Sequence, residues 1–181
     1  MSSTTTDRRD APSACGDSRD LDVLIVGAGL SGIGAAWHLQ QRCPNKTYAI
    51  LEARDAIGGT WDLFRYPGVR SDSDMYTLGY AFQPWTAGKA IADGPSIRDY
   101  IRDTARANGI DSKIRFRHKV TSAAWSTEDA CWTVQVDHAG EPVTIRTRFL
   151  YMCSGYYSYD EAYRPAFEDE DRYLGRVVQP Q

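Results

Sequence analysis

Cysteine and histidine are scarce in this 181-residue chain, which holds four of the first and three of the second. Cys15, Cys43, Cys131 and Cys153 lie far apart and form no C-x-x-C pair. That spacing suits neither a disulfide framework nor a zinc site, and it points to a reducing cytoplasm, with peripheral membrane association left open. His38, His118 and His138 fall in separate segments without metal-ligand spacing, so no metal is expected. No G-x-S-x-G elbow occurs, which removes one common hydrolase design. Positive charge is not in excess either: 21 basic residues stand against 24 acidic ones, for a formal charge of -3. Nucleic acids and anionic membranes attract basic surfaces, so neither is an expected partner. The most apolar stretch, residues 21–30, is only about half a membrane span long, so no transmembrane segment is expected. Residues 1–20 are rich in Ser, Thr and Asp, lack the apolar centre of a signal peptide, and read as a flexible tail.

What is present can build a core. Hydrophobic residues make up 42% of the chain, including five Trp, eleven Tyr and five Phe, and residues 21–181 read as one domain. Leu21-Asp22-Val23-Leu24-Ile25-Val26 is a β-branched run of the kind buried on both faces of a sheet. A glycine turn follows. A helix is expected from Leu30 to about Arg42, ahead of Pro44, and a second strand over residues 47–52. Strand, helix and strand make a βαβ unit, hence a parallel sheet with a right-handed crossover. Residues 53–94 are loop-rich, and long irregular stretches are usually functional. Ser96 is expected to cap a helix, with Asp99 completing a capping box, Ile97, Tyr100, Ile101, Thr104 and Ala105 on one face, and Gly109 as the stop. Residues 113–120 alternate strictly and predict a strand with Lys113, Arg115, Arg117 and Lys119 on a solvated face. Strands around 123–125, 131–136 and 143–148 suggest an antiparallel meander, and the apolar run 149–153 a return to the parallel sheet.

The central motif is Gly27-Ala28-Gly29-Leu30-Ser31-Gly32, with Ala36 four residues later. G-x-G-x-x-G between a strand and a helix has a mechanism. Gly27 allows the tight turn, Gly29 leaves room for a diphosphate, and Gly32 with Ala36 lets the helix pack closely on the sheet. Ser31 sits in the first helical turn, where free N–H groups and a partial positive charge attract an anion. Glu52 ends the second strand, twenty residues after Gly32. A carboxylate there accepts hydrogen bonds from ribose hydroxyls and repels a 2′-phosphate, so this first site is expected to hold FAD or NAD and not NADP. The bland alternative is a packing turn followed by a strand-end charge.

The next segment is Gly58-Gly59-Thr60-Trp61, four residues, Tyr66-Pro67-Gly68, three more and Asp72. It resembles the G-G-x-W-x-x-x-x-[FY]-P-G-x-x-x-D signature of the class B flavoprotein monooxygenases, and of their Baeyer–Villiger branch in particular. The likeness continues through the strand ending His118-Lys119-Val120 and through Cys153-Ser154-Gly155-Tyr156-Tyr157. It covers essentially everything after Asp20, but only the first part of a family chain.

The resemblance implies an α/β fold: a Rossmann-like FAD-binding parallel sheet with an antiparallel β-meander, of the two-dinucleotide-binding flavoprotein type and incomplete at the C-terminus. It implies FAD and NADPH as cofactors and molecular oxygen as co-substrate. A C4a-peroxyflavin would then oxidise a ketone to an ester or oxygenate the sulfur of a thioether or thiocarbonyl. Thr60, Trp61, Asp62 and Leu63 would line the flavin. Arg70, Ser71 and Asp72 would lie where the nicotinamide meets it, with Asp72 the candidate catalytic residue, and the main chain of Val120 would hold the adenine. An Arg70–Asp72 surface ion pair and a core role for Val120 are the plain alternatives. Two departures stand beside this. The first Baeyer–Villiger signature, F-x-G-x-x-x-H-x-x-x-[WP], is met only by Tyr173-Leu174-Gly175-Arg176-Val177-Val178-Gln179, with Tyr for Phe and Gln for His. No second G-x-G-x-x-[GA] follows, so the NADPH domain, and the arginine that the resemblance places in it, are expected to be absent from these 181 residues. A non-catalytic flavin- or nucleotide-binding remnant and an NAD-dependent dehydrogenase are the competing classes.

Overall fold

The computed structural model describes residues 20–179, so the tail expected at residues 1–20 lies, apart from Asp20, outside the described residues. Among the described residues six strands form one mixed sheet in the order β3-β2-β1-β6-β5-β4. At its centre β1 (Leu21–Val26) pairs in parallel with β2 (Tyr48–Leu51) on one side and β6 (Glu141–Met152) on the other. The apolar run of β1 is used on both faces, Leu24 entering one core and Ile25 the other, as the period of two requires. Between β1 and β2 runs α1 (Leu30–Arg42), which buries Gly32, Ile33 and Ala36. The opposite face is covered by the meander of β4 (His118–Ser126), β5 (Cys131–His138) and β6, with Val134, Val136 and Ile145 against Leu24, Ala49 and Leu51.

The structure joins two segments that the sequence pattern separates. Residues 143–148 and 149–152 belong to one strand, β6, because no glycine or proline interrupts the chain between them. Its first half pairs antiparallel with β5 and its second half parallel with β1; Thr147 is the hinge of the register, facing both Trp132 and Leu21. Elsewhere the structure breaks what the pattern joins. Residues 113–120 are not one strand: Lys113 closes a short 3-10 turn, β3 is only Ile114–Arg115, and Arg117 takes a left-handed φ of 58° before β4 begins at His118. The Arg117 N–H donates to the Arg54 carbonyl at 3.0 Å, which fixes the reversal. The four basic residues therefore do not share a strand face.

The loop-rich span 53–94 contains two single-turn helices, α2 (Thr60–Leu63) and α3 (Met75–Leu78). It leads into α4 (Gly94–Ala107), whose Ile97, Ile101, Thr104 and Ala105 are buried as the periodicity predicts. The cap is Asp93 and not Ser96. Pro95 fits the first helical turn, where a missing N–H costs nothing, and that moves the helix start upstream. Asp93 accepts from the Ser96 N–H at 3.0 Å and the Ser96 hydroxyl at 2.7 Å, while Asp99 pairs with Arg98 instead of closing a capping box. Asp93→Ala is expected to cost about 1 kcal/mol of stability. Hydrogen bonds from Ser96 hold the Asp93 carboxyl below its usual range. Its contribution is present above the unfolded value, about 3.9, and is lost as pH falls through the lower folded value. Denaturation curves of variant and wild type should then converge in strong acid, and a gap that stays constant with pH would refute the cap. Among the described residues no helix is long and apolar enough to cross a membrane.

Candidate functional site

The carboxyl ends of β1, β2 and β6 open onto a cleft of about 990 Å³. Chain order reverses at β1, since β2 lies on one side and β6 on the other, and such a switch leaves a crevice outside the strand ends. The volume is at the upper end for small-ligand sites and suits an extended dinucleotide.

The first wall is the turn between β1 and α1. Gly27 has a φ of 104°, donates its N–H to the Leu51 carbonyl at 2.7 Å, and has no space for a side chain because the Cys153 carbonyl stands where a Cβ would be. Gly32 lies off the cleft and is a packing residue: a Cβ there would run into the Gly27 carbonyl oxygen. Gly29 does line the cleft, but a Cβ built on it meets Gly59 Cα at 3.5 Å, an ordinary contact. No neighbouring protein atom therefore demands glycine at this position, and the space beside it is left to the cleft. As the N-cap of α1, Gly29 offers no side-chain cap, and the first turn carries no acidic residue. The leading N–H groups, with Ser31 exposed among them, are left for an anion.

Glu52 follows β2 directly and is 5% exposed. Its Oε2 accepts from the Ala28 N–H at 2.8 Å and its Oε1 from the Arg54 N–H at 2.9 Å. One carboxylate thus ties the phosphate turn to the end of β2 while still lining the cleft.

The second wall is the 58–61 turn. The Gly58 N–H donates to the Ala28 carbonyl at 3.1 Å, so Ala28 is held by Glu52 at one end of its peptide and by this turn at the other. Gly58 and Gly59 both have positive φ, 139° and 54°, and close approach to Asp62 Cβ and Gly29 Cα fills the space side chains would need. Thr60 and Trp61 line the cleft. Asp62 and Leu63 do not. Asp62 turns away because Arg54, Arg65 and Arg102 gather its carboxylate behind the turn, and the Leu63 N–H closes α2 onto the Gly59 carbonyl.

Arg70 and Asp72 line both the cleft and an adjoining depression of about 590 Å³; Ser71 lines only the depression. This segment hangs from the lead into α4, with the Ser71 N–H on the Ala92 carbonyl at 3.0 Å and the Gly94 N–H on the Val69 carbonyl at 2.9 Å. Among the described residues Arg70 and Asp72 form no ion pair with each other. Val120 lines the far end beside His118 and Lys119, next to a break in the β4–β5 register.

Sequence reasoning missed several residues around the cleft. Phe64 meets the Tyr157 ring edge-on at 5.2 Å, and Tyr159 lies close to Gly59. Burial, then the Glu52 charge, pushes the Tyr159 phenol up, so it keeps its proton and can donate. Nothing periodic marks these positions; the only signal was the likeness of residues 153–157 to the family.

Residues 25–102 match the model of an NAD(P)-binding Rossmann-like domain. The FAD-containing monooxygenase EthA of Mycobacterium tuberculosis (strain ATCC 25618 / H37Rv) is 58% identical over 161 residues, 89% of this chain and 33% of the relative. Its namesake in Mycolicibacterium smegmatis (strain ATCC 700084 / mc(2)155) is also 58% identical, over 88% of this chain and 32% of the relative. The chain is similar to the amino-terminal third of FAD-containing monooxygenases. It spans about a third of the length of the curated relatives it matches. Among solved structures, an oxidised steroid monooxygenase bound to NADP superposes with a TM-score of 0.72 at 33% identity, over 86% of this chain and 30% of the other. OTEMO in complex with FAD and NADP gives 0.71 at 30% identity, over 86% and 29%. These matches agree with the α/β fold and with the family that residues 58–72 resemble.

Proposed function

We propose that this chain is the FAD-binding portion of an NADPH- and oxygen-dependent monooxygenase acting on ketones or on the sulfur of thioethers and thiocarbonyls. The observation that carries the reading is the meeting of two glycine turns in one cleft: Gly29 against Gly59, with Glu52 and Gly58 both bound to Ala28. The monooxygenases similar to this chain, and the solved structures with FAD and NADP, support the choice.

The donor set fits the cofactor. The uncapped first turn of α1, with Ser31, would take the diphosphate, Glu52 the ribose, and the main chain near Val120 the adenine. Thr60 and Trp61 would line the flavin ring. When bound, FAD would supply hydride acceptance and oxygen activation. The protein's part would be to bind the ring with the 58–61 turn and with the aromatic residues Phe64 and Tyr157, which line the same cleft, and to limit its contact with water. Arg70 and Asp72, at the opening between cleft and depression, would place the nicotinamide.

The test is the full-length protein with FAD, NADPH and a thioether or ketone. A yellow protein whose NADPH loss is coupled to oxygenated product supports the reading; a colourless protein that binds NAD and transfers hydride moves it to the dehydrogenases. Asp72→Ala is expected to keep FAD but to slow NADPH oxidation by about 100-fold, the cost of misplacing a reacting group by about 1 Å. Steady-state rates equal to wild type would remove Asp72 from the site.

A further inference from the structure

Asp62 is the most buried acidic side chain among the described residues, 1% exposed, and it does not face the cleft. Its Oδ2 accepts from Arg54 Nη2 at 2.6 Å, its Oδ1 from Arg102 Nη2 at 2.9 Å, and Arg65 Nη2 lies 3.3 and 3.4 Å from the two oxygens. The three guanidiniums come from three places: the exit of β2, the loop after α2, and the middle of α4. Each also holds a backbone carbonyl of the turn. Arg54 Nη1 donates to Gly59 at 3.4 Å, Arg65 Nε to Asp62 at 3.0 Å, and Arg102 Nε to Ile57 at 3.1 Å. Without the carboxylate between them, the half-buried Arg54 and Arg102 guanidiniums and the exposed Arg65 would repel one another and release those carbonyls.

We propose that Asp62 is a positioning residue: by gathering Arg54, Arg65 and Arg102 it sets the turn 57–62 against the phosphate turn, and so controls how the isoalloxazine half of FAD is held without touching it. The proposal rests on the reading of the cleft as a FAD site. The adenine half depends on other residues, Glu52, the first turn of α1 and the strand end near Val120; Asp62 contacts none of them directly, and Arg54 holds Glu52 through its main-chain N–H while its guanidinium holds Asp62. FAD and ADP therefore separate the two halves.

The experiment titrates both ligands into apo full-length wild type and Asp62→Asn. The variant is expected to bind FAD more weakly by about tenfold or more, with ADP affinity changed by less than about threefold. Loss of both in equal measure would show a general folding role, and unchanged FAD affinity would show no role; either overturns the proposal. If Asp62→Asn does not fold, Arg102→Gln, which removes one of the three partners, must show the same selective loss of FAD, and an unchanged FAD-to-ADP ratio overturns it. Wild type that binds ADP but not FAD would overturn the FAD reading itself, a result distinct from a wild type that binds FAD beside a variant that binds it equally well.

Discussion

Gly32→Ala is expected to destabilise the fold by about 3 kcal/mol and to abolish cofactor retention, although it adds a single methyl group. The new Cβ would strike the Gly27 carbonyl oxygen. Relief by moving Gly27 is blocked on every side. Its N–H is bonded to the Leu51 carbonyl, its Cα faces the Cys153 carbonyl, and the Cys153 N–H is bonded in turn to the Val26 carbonyl at 2.8 Å. Relief by moving α1 would pull Ile33 and Ala36 out of the core. Gly29→Ala is the control. Its Cβ meets only an ordinary contact with Gly59, and φ at Gly29 is -85°, so the backbone is unstrained. It should cost less than about 1 kcal/mol. Chemical denaturation of the two variants decides the matter: equal stability would mean that the packing of helix on turn is not what requires glycine at position 32.

This contrast also marks where sequence reading succeeds and where it stops. β1, α1 and β2 were legible because hydrophobic burial on two faces and a helix amid small residues leave strong local patterns at residues 21–51. The glycine fingerprint was legible for the same reason, yet it did not show which glycine serves packing and which serves the cleft. That depends on Cys153 and Gly59, which the fold brings in from far along the chain. Asp62 is the clearest case. Its place in a ligand-binding signature suggested contact with the flavin, whereas the structure surrounds it with Arg54, Arg65 and Arg102, a convergence that no spacing reveals. The split of residues 113–120 has a local cause that the alternating pattern conceals, a left-handed Arg117 held by a distant carbonyl. The union of residues 141–152 into one strand likewise needed the two partners, β5 and β1, to be seen together.

Glu52→Ala should act twice, on the empty protein and on cofactor affinity. In the structure both carboxylate oxygens already accept backbone N–H groups, from Ala28 and Arg54, in a residue that is almost fully buried. Removing them leaves two amide donors in a poorly solvated place, which costs about 1–3 kcal/mol. Because Ala28 is also the acceptor for the Gly58 N–H, loosening its peptide should disturb the contact between the two glycine turns. If the carboxylate also receives the ribose hydroxyls, its loss removes charge-assisted hydrogen bonds worth about another 1–3 kcal/mol, or roughly 5- to 150-fold in FAD affinity. Glu52→Gln separates the two effects. The amide oxygen can keep one backbone donor, but its NH2 group would face the other, so stability should be partly restored while ribose binding stays impaired. The measurements are the denaturation midpoint of the apo protein and flavin occupancy at limiting FAD, in full-length wild type and both variants. An alanine variant as stable as wild type would show that the Ala28 and Arg54 amides do not need this carboxylate. Full flavin occupancy in both variants would take Glu52 out of the cofactor site and leave it as a structural tie between β2 and the phosphate turn.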